Sequence, residues 1–388
     1  MFHIFTPEQI KKANVSDVYF DRTVRIIKKE NLDRTVAAEV RARNLPCDYP
    51  WAVLAGIEEV LNLLEGLPVK LWAMPEGTLF HSMEPVLLLE GRYSDFAAYE
   101  TSLLGFLCQA SGIATRAARC KKMSGGKSIY HFGARRMHPA VALMIDRASY
   151  IGGCDGVAVT ESAKFLGEQA IGTIPHSLVL LTGDTLKSIR LFHQIIEPEV
   201  KRVALIDTLG DEKFEALRVA EDLGKDLFAV RIDTPASRRG DILEILKEIR
   251  WELDLRGFEH VKLFLSGGLH EQKIRELREV ADAFGVGTWI SNAPVVDFAL
   301  DIVDIEGKPV AKKGKHSGKK QVWSCLACNS TKVLPWSKKY PACTCGGKTE
   351  PLLKLMIDNG KKTHSSPSPR TIRDFVLRQL EKTTIERG

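Results

Sequence analysis

The strongest constraint on this chain begins after Gly125, where short apolar runs start to recur. They read YHFGAR (130–135), DGVAV (155–159), VALIDT (203–208), LFAVRID (227–233), VKLFLSGG (261–268) and ADAFGVGT (281–288). Helical patterns such as DEKFEALRVAEDLG and RRGDILEILKEIRWELDLRG lie between them. Strands that alternate with helices make βαβ units and a parallel sheet. Runs that are apolar throughout belong to strands buried on both faces. Nearly every run ends in polar residues or glycine: Arg135, Asp207, Arg231 with Asp233, Ser266-Gly267-Gly268, and Gly287-Thr288. Many strand ends converging on one site is the habit of a barrel's C-terminal face, whereas an open sheet gathers its ligand at one crossing point. An α/β barrel is therefore expected.

The flanking segments follow other rules. Thr6, Pro7 and Gln9 have the N-cap, N1 and N3 pattern of a helix start. GIEEVLNLLEGL (56–67) is apolar at helical spacing, and 95–124 reads as a long helical stretch. PEGTLF and EPVLLLEGRY look like strands paired around Glu84-Pro85. HSSPSPR (364–370) reads as a linker before a last helix. No apolar run approaches the roughly 20 residues of a membrane helix. MFHIFTPEQIKK lacks the features of a signal peptide, so a cytoplasmic location is expected.

Of eight cysteines, Cys47, Cys108, Cys120 and Cys154 stand singly, in contexts suited to small buried residues. The other four, Cys325, Cys328, Cys343 and Cys345, form two close pairs that suit tetrahedral Zn²⁺ in a structural site. From Lys308 onward there are 18 Lys and Arg against 5 Asp and Glu, so +13 resides in the tail and the first 307 residues carry −7 of the net +6. A basic tail suits nucleic acid or a phosphate-rich substrate.

The strand ends suggest an anion site. SGGL and FGVGT close the last two strands with glycines that expose backbone N–H groups, and a barrel commonly holds phosphate there. Arg231 and Asp233 lie two apart on one strand, suiting a phosphorylated ribose or, more simply, a buried ion pair. Arg238 and Arg239 begin the next helix and add positive potential. HFGARRMHP brings Arg135, Arg136 and His138 into one loop. In GTIPHSL (172–178) no packing rule calls for His176. Without an acid or second histidine beside it a metal role is disfavoured, leaving a packed histidine or a group that handles charge, oriented by Asp207.

PEGTLF, EPVLLLEGRY, YETSLLGFLCQASGIAT, FGARRMHP, GCDGVAVT, GTIPHSL, RIDT, SGGL and FGVGT occur in the order seen in type II phosphoribosyltransferases. The chain resembles the nicotinate phosphoribosyltransferases, and among them the short archaeal-type form. That resemblance implies an N-terminal α/β sandwich domain (1–112), an incomplete barrel (113–300) and a C-terminal segment with the four-cysteine zinc knuckle (301–388). It implies a homodimer or an oligomer of dimers with shared active sites. Nicotinate and phosphoribosyl diphosphate would be the substrates, Mg²⁺ would accompany the latter, and ATP hydrolysis would be an optional coupling. Carried over by position, Phe132 and the partner's Tyr19 would stack on the pyridine. Arg135 would meet its carboxylate, and Asp155 would contact the ring substituent, where an acid favours an amide over a carboxylate. Asp207, Arg231, Asp233, Ser266, Gly267, Gly268, Gly285, Gly287 and Thr288 would hold ribose and phosphate. His176 matches the histidine this family phosphorylates.

Within the fold, quinolinate and nicotinamide transferases are the alternatives. From other classes, the candidates are a zinc-ribbon nucleic-acid-binding protein on an inactive barrel and a phosphate-binding isomerase. The isomerase lacks an evident proton-transfer base. Nucleic acid and membrane are not expected partners.

Overall fold

The structure, a computed structural model, describes residues 2–234, 237 and 240–385. Arg238 and Arg239 lie outside the described residues. Two compact units are present: Met1–Thr115 with Ala293–Gly388, and Arg116–Asn292. In chain order the first unit supplies β1 (Thr35–Ala42), β2 (Ala52–Val53), β3 (Lys70–Ala73), β4 (Leu79–Phe80) and β5 (Pro85–Arg92). The second supplies β6 (Ser128–His131), β7 (Gly156–Val157), β8 (Arg202–Leu205), β9 (Leu227–Ile232), β10 (Lys262–Ser266) and β11 (Ala283–Val286). The chain then adds β12 (Phe298–Ile305), β13 (Lys308–Pro309), β14 (Lys320–Cys325), β15 (Thr331–Pro335), β16 (Thr349–Pro351), β17 (Lys354–Asp358) and β18 (Lys361–Lys362) to the first unit.

The second unit is the expected barrel, left incomplete. Its six strands run in the order β7-β6-β11-β10-β9-β8, and each pairing is parallel. The outer strands β7 and β8 do not pair with each other, so the curled sheet stays a half-barrel. Three helices, Thr160–Leu166, His176–Thr182 and Thr185–Ile195, occupy the stretch between them. Asp184 caps the last of these by accepting from Lys187 N–H at 2.6 Å. Burial follows the sequence: every residue of β8 is buried, as are Leu263 to Ser266 of β10.

The first unit is an α/β sandwich. A seven-stranded sheet, β13-β12-β1-β5-β3-β17-β18, is antiparallel throughout. Helix Ile57–Leu64 and the start of helix Glu100–Met123 pack Val60, Leu64, Leu103 and Leu107 into its core. Thr6 and Gln9 form the expected reciprocal cap on the first helix. Two expectations need correction. PEGTLF and EPVLLLEGRY do not pair with one another: β4 pairs with β2, while β5 lies between β1 and β3. The Glu84 carboxylate accepts from His81 N–H at 2.8 Å, closing a turn that sends the two segments to different sheets. Residues 301–388 also do not form a separate body, because β12, β13, β17 and β18 belong to the large sheet. Of that segment, β14, β15 and β16 make a small three-stranded sheet of their own. Cys120 and Cys154 are buried as expected, whereas Cys47 is exposed at a positive φ of 54°.

Four lysines of the basic run KKGKHSGKK meet acids of the large sheet, while Lys312 and Lys313 remain exposed. Lys312 and Lys315 meet Asp301, Lys319 meets Glu90, and Lys320 meets the fully buried Glu39 at 3.0 Å. Four of the run's lysines thus neutralise carboxylates of the sheet, which weakens both the nucleic-acid and the phosphate-substrate readings of the tail. Among the described residues no helix is long and apolar enough to cross a membrane.

Candidate active site

The C-terminal ends of the half-barrel strands enclose a cavity of about 360 Å³. Phe132, Arg135, Arg231, Asp233, Ser266, Gly267, Gly268, Gly285, Gly287 and Thr288 all line it. Arg231 is fixed from three sides. Its Nε donates to Ser266 Oγ at 2.9 Å, Nη1 to Thr173 Oγ1 at 2.7 Å, and Nη2 to Asp233 Oδ2 at 3.1 Å. Burial pushes its pKa down, and the Asp233 and Asp207 carboxylates oppose that shift. The guanidinium carbon lies 5.3 Å from the Phe132 ring centre, so cation and aromatic ring face the same space. A Cβ at Gly285 would come within 2.6 Å of two Phe132 ring carbons; only glycine lets that ring lie against β11.

Asp207 acts from behind. Its Oδ2 accepts from Asp233 N–H and from Thr234 Oγ1, both at 2.6 Å, while its Oδ1 is buried without a partner. It therefore sets the backbone that carries Asp233. His176 opens helix His176–Thr182 beside Pro175, which lines the cavity. Its Nδ1 sits 2.9 Å from Thr208 Oγ1 and its Nε2 3.8 Å from Asp233 Oδ2. The expectation that Asp207 orients this histidine is corrected: Thr208 and Asp233 are its neighbours.

Asp155 is corrected as well. It precedes β7 at the opposite end of the strands and does not line the cavity. Lys121 Nζ donates to its Oδ2 at 2.7 Å and Ile129 N–H at 2.8 Å, so the carboxylate belongs to an ion pair. Its supposed bearing on amide or acid preference falls away. Tyr19 belongs to the first unit, on helix Val18–Lys29, and is 55% exposed. The sequence assigned no role to Thr173, Thr208, Thr234 or Trp289, although the first three lie within the quoted GTIPHSL, VALIDT and RIDT segments. Arg136 joins Arg135 at the cavity and His138 caps a short turn, accepting from Ala140 N–H at 3.1 Å.

The four clustered cysteines meet in the first unit. Their Sγ atoms all lie within 4.8 Å of one another, with Cys325–Cys345 and Cys345–Cys328 at 3.5 Å and Cys328–Cys343 at 3.8 Å. A tetrahedron with Zn–S bonds of about 2.3 Å has edges of about 3.8 Å, so the spacing fits that ion. A Cβ at Gly347 would sit 2.8 Å from Cys325 Sγ, so the CxC turn needs glycine there.

Residues 17–111 match the family described as quinolinate phosphoribosyl transferase, N-terminal domain, and residues 113–301 its C-terminal domain. A Mycobacterium tuberculosis nicotinate phosphoribosyltransferase is 27% identical, covering 95% of this chain and 87% of its own. A Bacillus subtilis nicotinate phosphoribosyltransferase is 28% identical over 69% of this chain and 61% of its own. Among solved structures, a nicotinate-nucleotide pyrophosphorylase from Pyrococcus furiosus superimposes with a TM-score of 0.96 at 53% identity, over 98% of both chains. Human nicotinic acid phosphoribosyltransferase shares the fold, with a TM-score of 0.75 at 19% identity over 95% and 94% of the chains.

Proposed function

The chain belongs to the quinolinate phosphoribosyl transferase family, and on that premise we propose that it joins nicotinate to phosphoribosyl diphosphate, giving nicotinate mononucleotide and diphosphate for NAD salvage. The observation that carries this reading is the cavity itself, where Phe132 lies beside the thrice-held Arg231 and the glycine turns line the wall. The pyridine nitrogen attacks C1 of the ribose with its own lone pair as the C1–O bond to diphosphate breaks. No base is required, so positioning and charge stabilisation supply most of the catalysis. Phe132 stacks on the ring, and Arg135 meets its carboxylate at the rim. The turns at Gly267-Gly268 and Gly285–Thr288 take the 5′-phosphate through backbone N–H groups. Asp233 accepts from ribose hydroxyls, and Asp207 holds its backbone. Mg²⁺ arrives with phosphoribosyl diphosphate as part of the substrate. His176 takes a phosphoryl group when ATP is hydrolysed.

The partner contributes Tyr19 in a homodimer with shared sites. The exposed Phe2, Ile4, Phe5, Val18 and Ile26 are apolar surface of the kind such an interface covers. Cys325, Cys328, Cys343 and Cys345 hold a structural Zn²⁺, which cross-links two turns and leaves no open position for chemistry. Cysteines clustered for a metal site suit a reducing cytoplasm.

Nicotinate is favoured over quinolinate because the cavity has Arg135, Arg136 and Arg231 as its only cations among the described lining residues. After the phosphates are met, little remains for a second carboxylate. Diphosphate release is measured with nicotinate, nicotinamide and quinolinate in parallel, with and without ATP. Release with nicotinate alone is expected, and no release with any of the three would overturn the reading.

A further inference from the structure

Behind Phe132 and Gly287 lies a buried polar group that the transfer reaction does not use. His131 ends β6, Asp146 sits in helix Ala142–Ile151, and both are fully buried. His131 Nδ1 is 2.6 Å from Asp146 Oδ1, and because a carboxylate only accepts, Nδ1 carries the proton. On the far side of the ring, His131 Nε2 is buried without a partner. Ser291 Oγ, at the end of helix Thr288–Ser291, is also buried without a partner.

These two orphaned atoms face the same spot. Each lies 2.7 Å from where a Cβ on Gly133 would sit, and the Gly287 carbonyl oxygen lies 2.6 Å from it. Only glycine at 133 leaves that spot open to both. A buried donor and a buried acceptor left unpaired are costly, so an arrangement that joins them is favoured once the chain permits it. The serine hydroxyl can donate to a neutral imidazole and accept from a charged one.

The location gives the pair its consequence. Phe132 and Gly133 follow His131 directly, and Gly287 and Thr288 lead into the turn that ends at Ser291. Phe132 N–H donates to Val286 O at 2.8 Å, so the ring-stacking turn and the phosphate-holding turn are neighbours.

We propose that Ser291 and His131 form a latch between the two substrate subsites. Phosphate held by the 285–288 turn draws Ser291 onto His131 Nε2, and the closed bond fixes Phe132 for the pyridine. His131 and Asp146 are positioning residues, because neither touches substrate. The coupling is reciprocal: a sugar phosphate tightens nicotinate binding by the same factor that nicotinate tightens the sugar phosphate. One hydrogen bond of this kind supports a factor of about ten.

The inference rests on the phosphoribosyl-transfer reading, and its test separates the two. Nicotinate affinity of the full chain is measured by calorimetry, alone and with saturating ribose 5-phosphate, which cannot react. The parent binds nicotinate about tenfold more tightly with the sugar phosphate present. Ser291→Ala binds it equally in both conditions, with its affinity in the absence of sugar phosphate unchanged. An unaltered coupling factor in Ser291→Ala, or no coupling in the parent, overturns the latch. Should Ser291→Ala fail to fold, ¹⁵N-histidine NMR of the parent decides: the His131 Nε2 resonance shifts on adding ribose 5-phosphate, and a stationary resonance overturns the proposal. Loss of phosphoribosyl diphosphate-dependent turnover in the parent itself would instead reject the function.

Discussion

Arg231 shows how much of the site was visible residue by residue. RIDT announced an arginine and an acid two apart on one strand, and both line the cavity. What the sequence could not announce was Thr173, 58 positions away, which accepts from the same guanidinium. Asp155 fails for the opposite reason: a position inside a familiar motif says nothing of Lys121, brought beside it by the helix before β6. His176 stands between these cases, predicted by its motif but held by Thr208 in place of Asp207. If its imidazole accepts a phosphoryl group, His176→Ala removes ATP stimulation and leaves basal transfer; an ATP response equal to the parent's would return it to a packing role. Glu100 offers a test outside the site. Burial, with Asp301 and Asp17 nearby, pushes its carboxyl from 4.5 up to about 7, against the opposing pull of Lys312. The folded state thus holds this proton more tightly than the unfolded chain. Its contribution is complete below the unfolded value and is lost as pH rises through about 7. Glu100→Gln removes that dependence. Its melting temperature relative to the parent should climb between about pH 5 and about pH 8, and a constant difference would refute the assignment.

At the scale of elements, strands with apolar runs were legible because burial dictates composition, as in β8 and β10. Pairing was not, because partners come from far along the chain. β1 illustrates this: it carries Glu39 and Arg41, and both are buried. Lys320, 281 residues later, covers Glu39 with its ammonium and its backbone N–H. Burial still raises the Glu39 pKa above its ordinary value despite Lys320. Lys320→Met removes the ammonium and leaves that buried carboxylate with the backbone N–H but no ion pair, at a cost of about 3–5 kcal/mol in chemical denaturation at neutral pH. The loss should shrink on acidification, since a raised pKa lets Glu39 protonate early; a loss independent of pH would contradict the pairing. The β14–β16 ribbon was announced by its cysteines, whose short spacings are local. It should carry one zinc per chain, and chelation should lower the melting temperature and expose four titratable thiols. A chain with no bound metal and unchanged stability after chelation would dismiss the ion.

For the molecule as a whole, the half-barrel explains why the alternating rhythm was readable and its closure was not. Six parallel strands require only local βαβ units, whereas the gap between β7 and β8 is a matter of which outer strands fail to meet. The proposed site also needs a residue that no strand end provides. Tyr19 lies on a helix of the first unit and is 55% exposed, near the exposed Val18 and Ile26 of the same helix. If the partner's Tyr19 closes each cavity, a site takes its arginine from one chain and its tyrosine from the other. Tyr19→Ala and Arg231→Met should then each be nearly inactive as pure proteins. In a hybrid dimer, one site receives both defects and the other receives neither. Random exchange makes half of the dimers hybrid with one intact site of two, so mixing should restore about a quarter of the parent activity. Hybrids are verified by tagging the variants differently and weighing the native dimer by mass spectrometry. Confirmed hybrids without recovered activity would mean that Tyr19 serves its own chain or none.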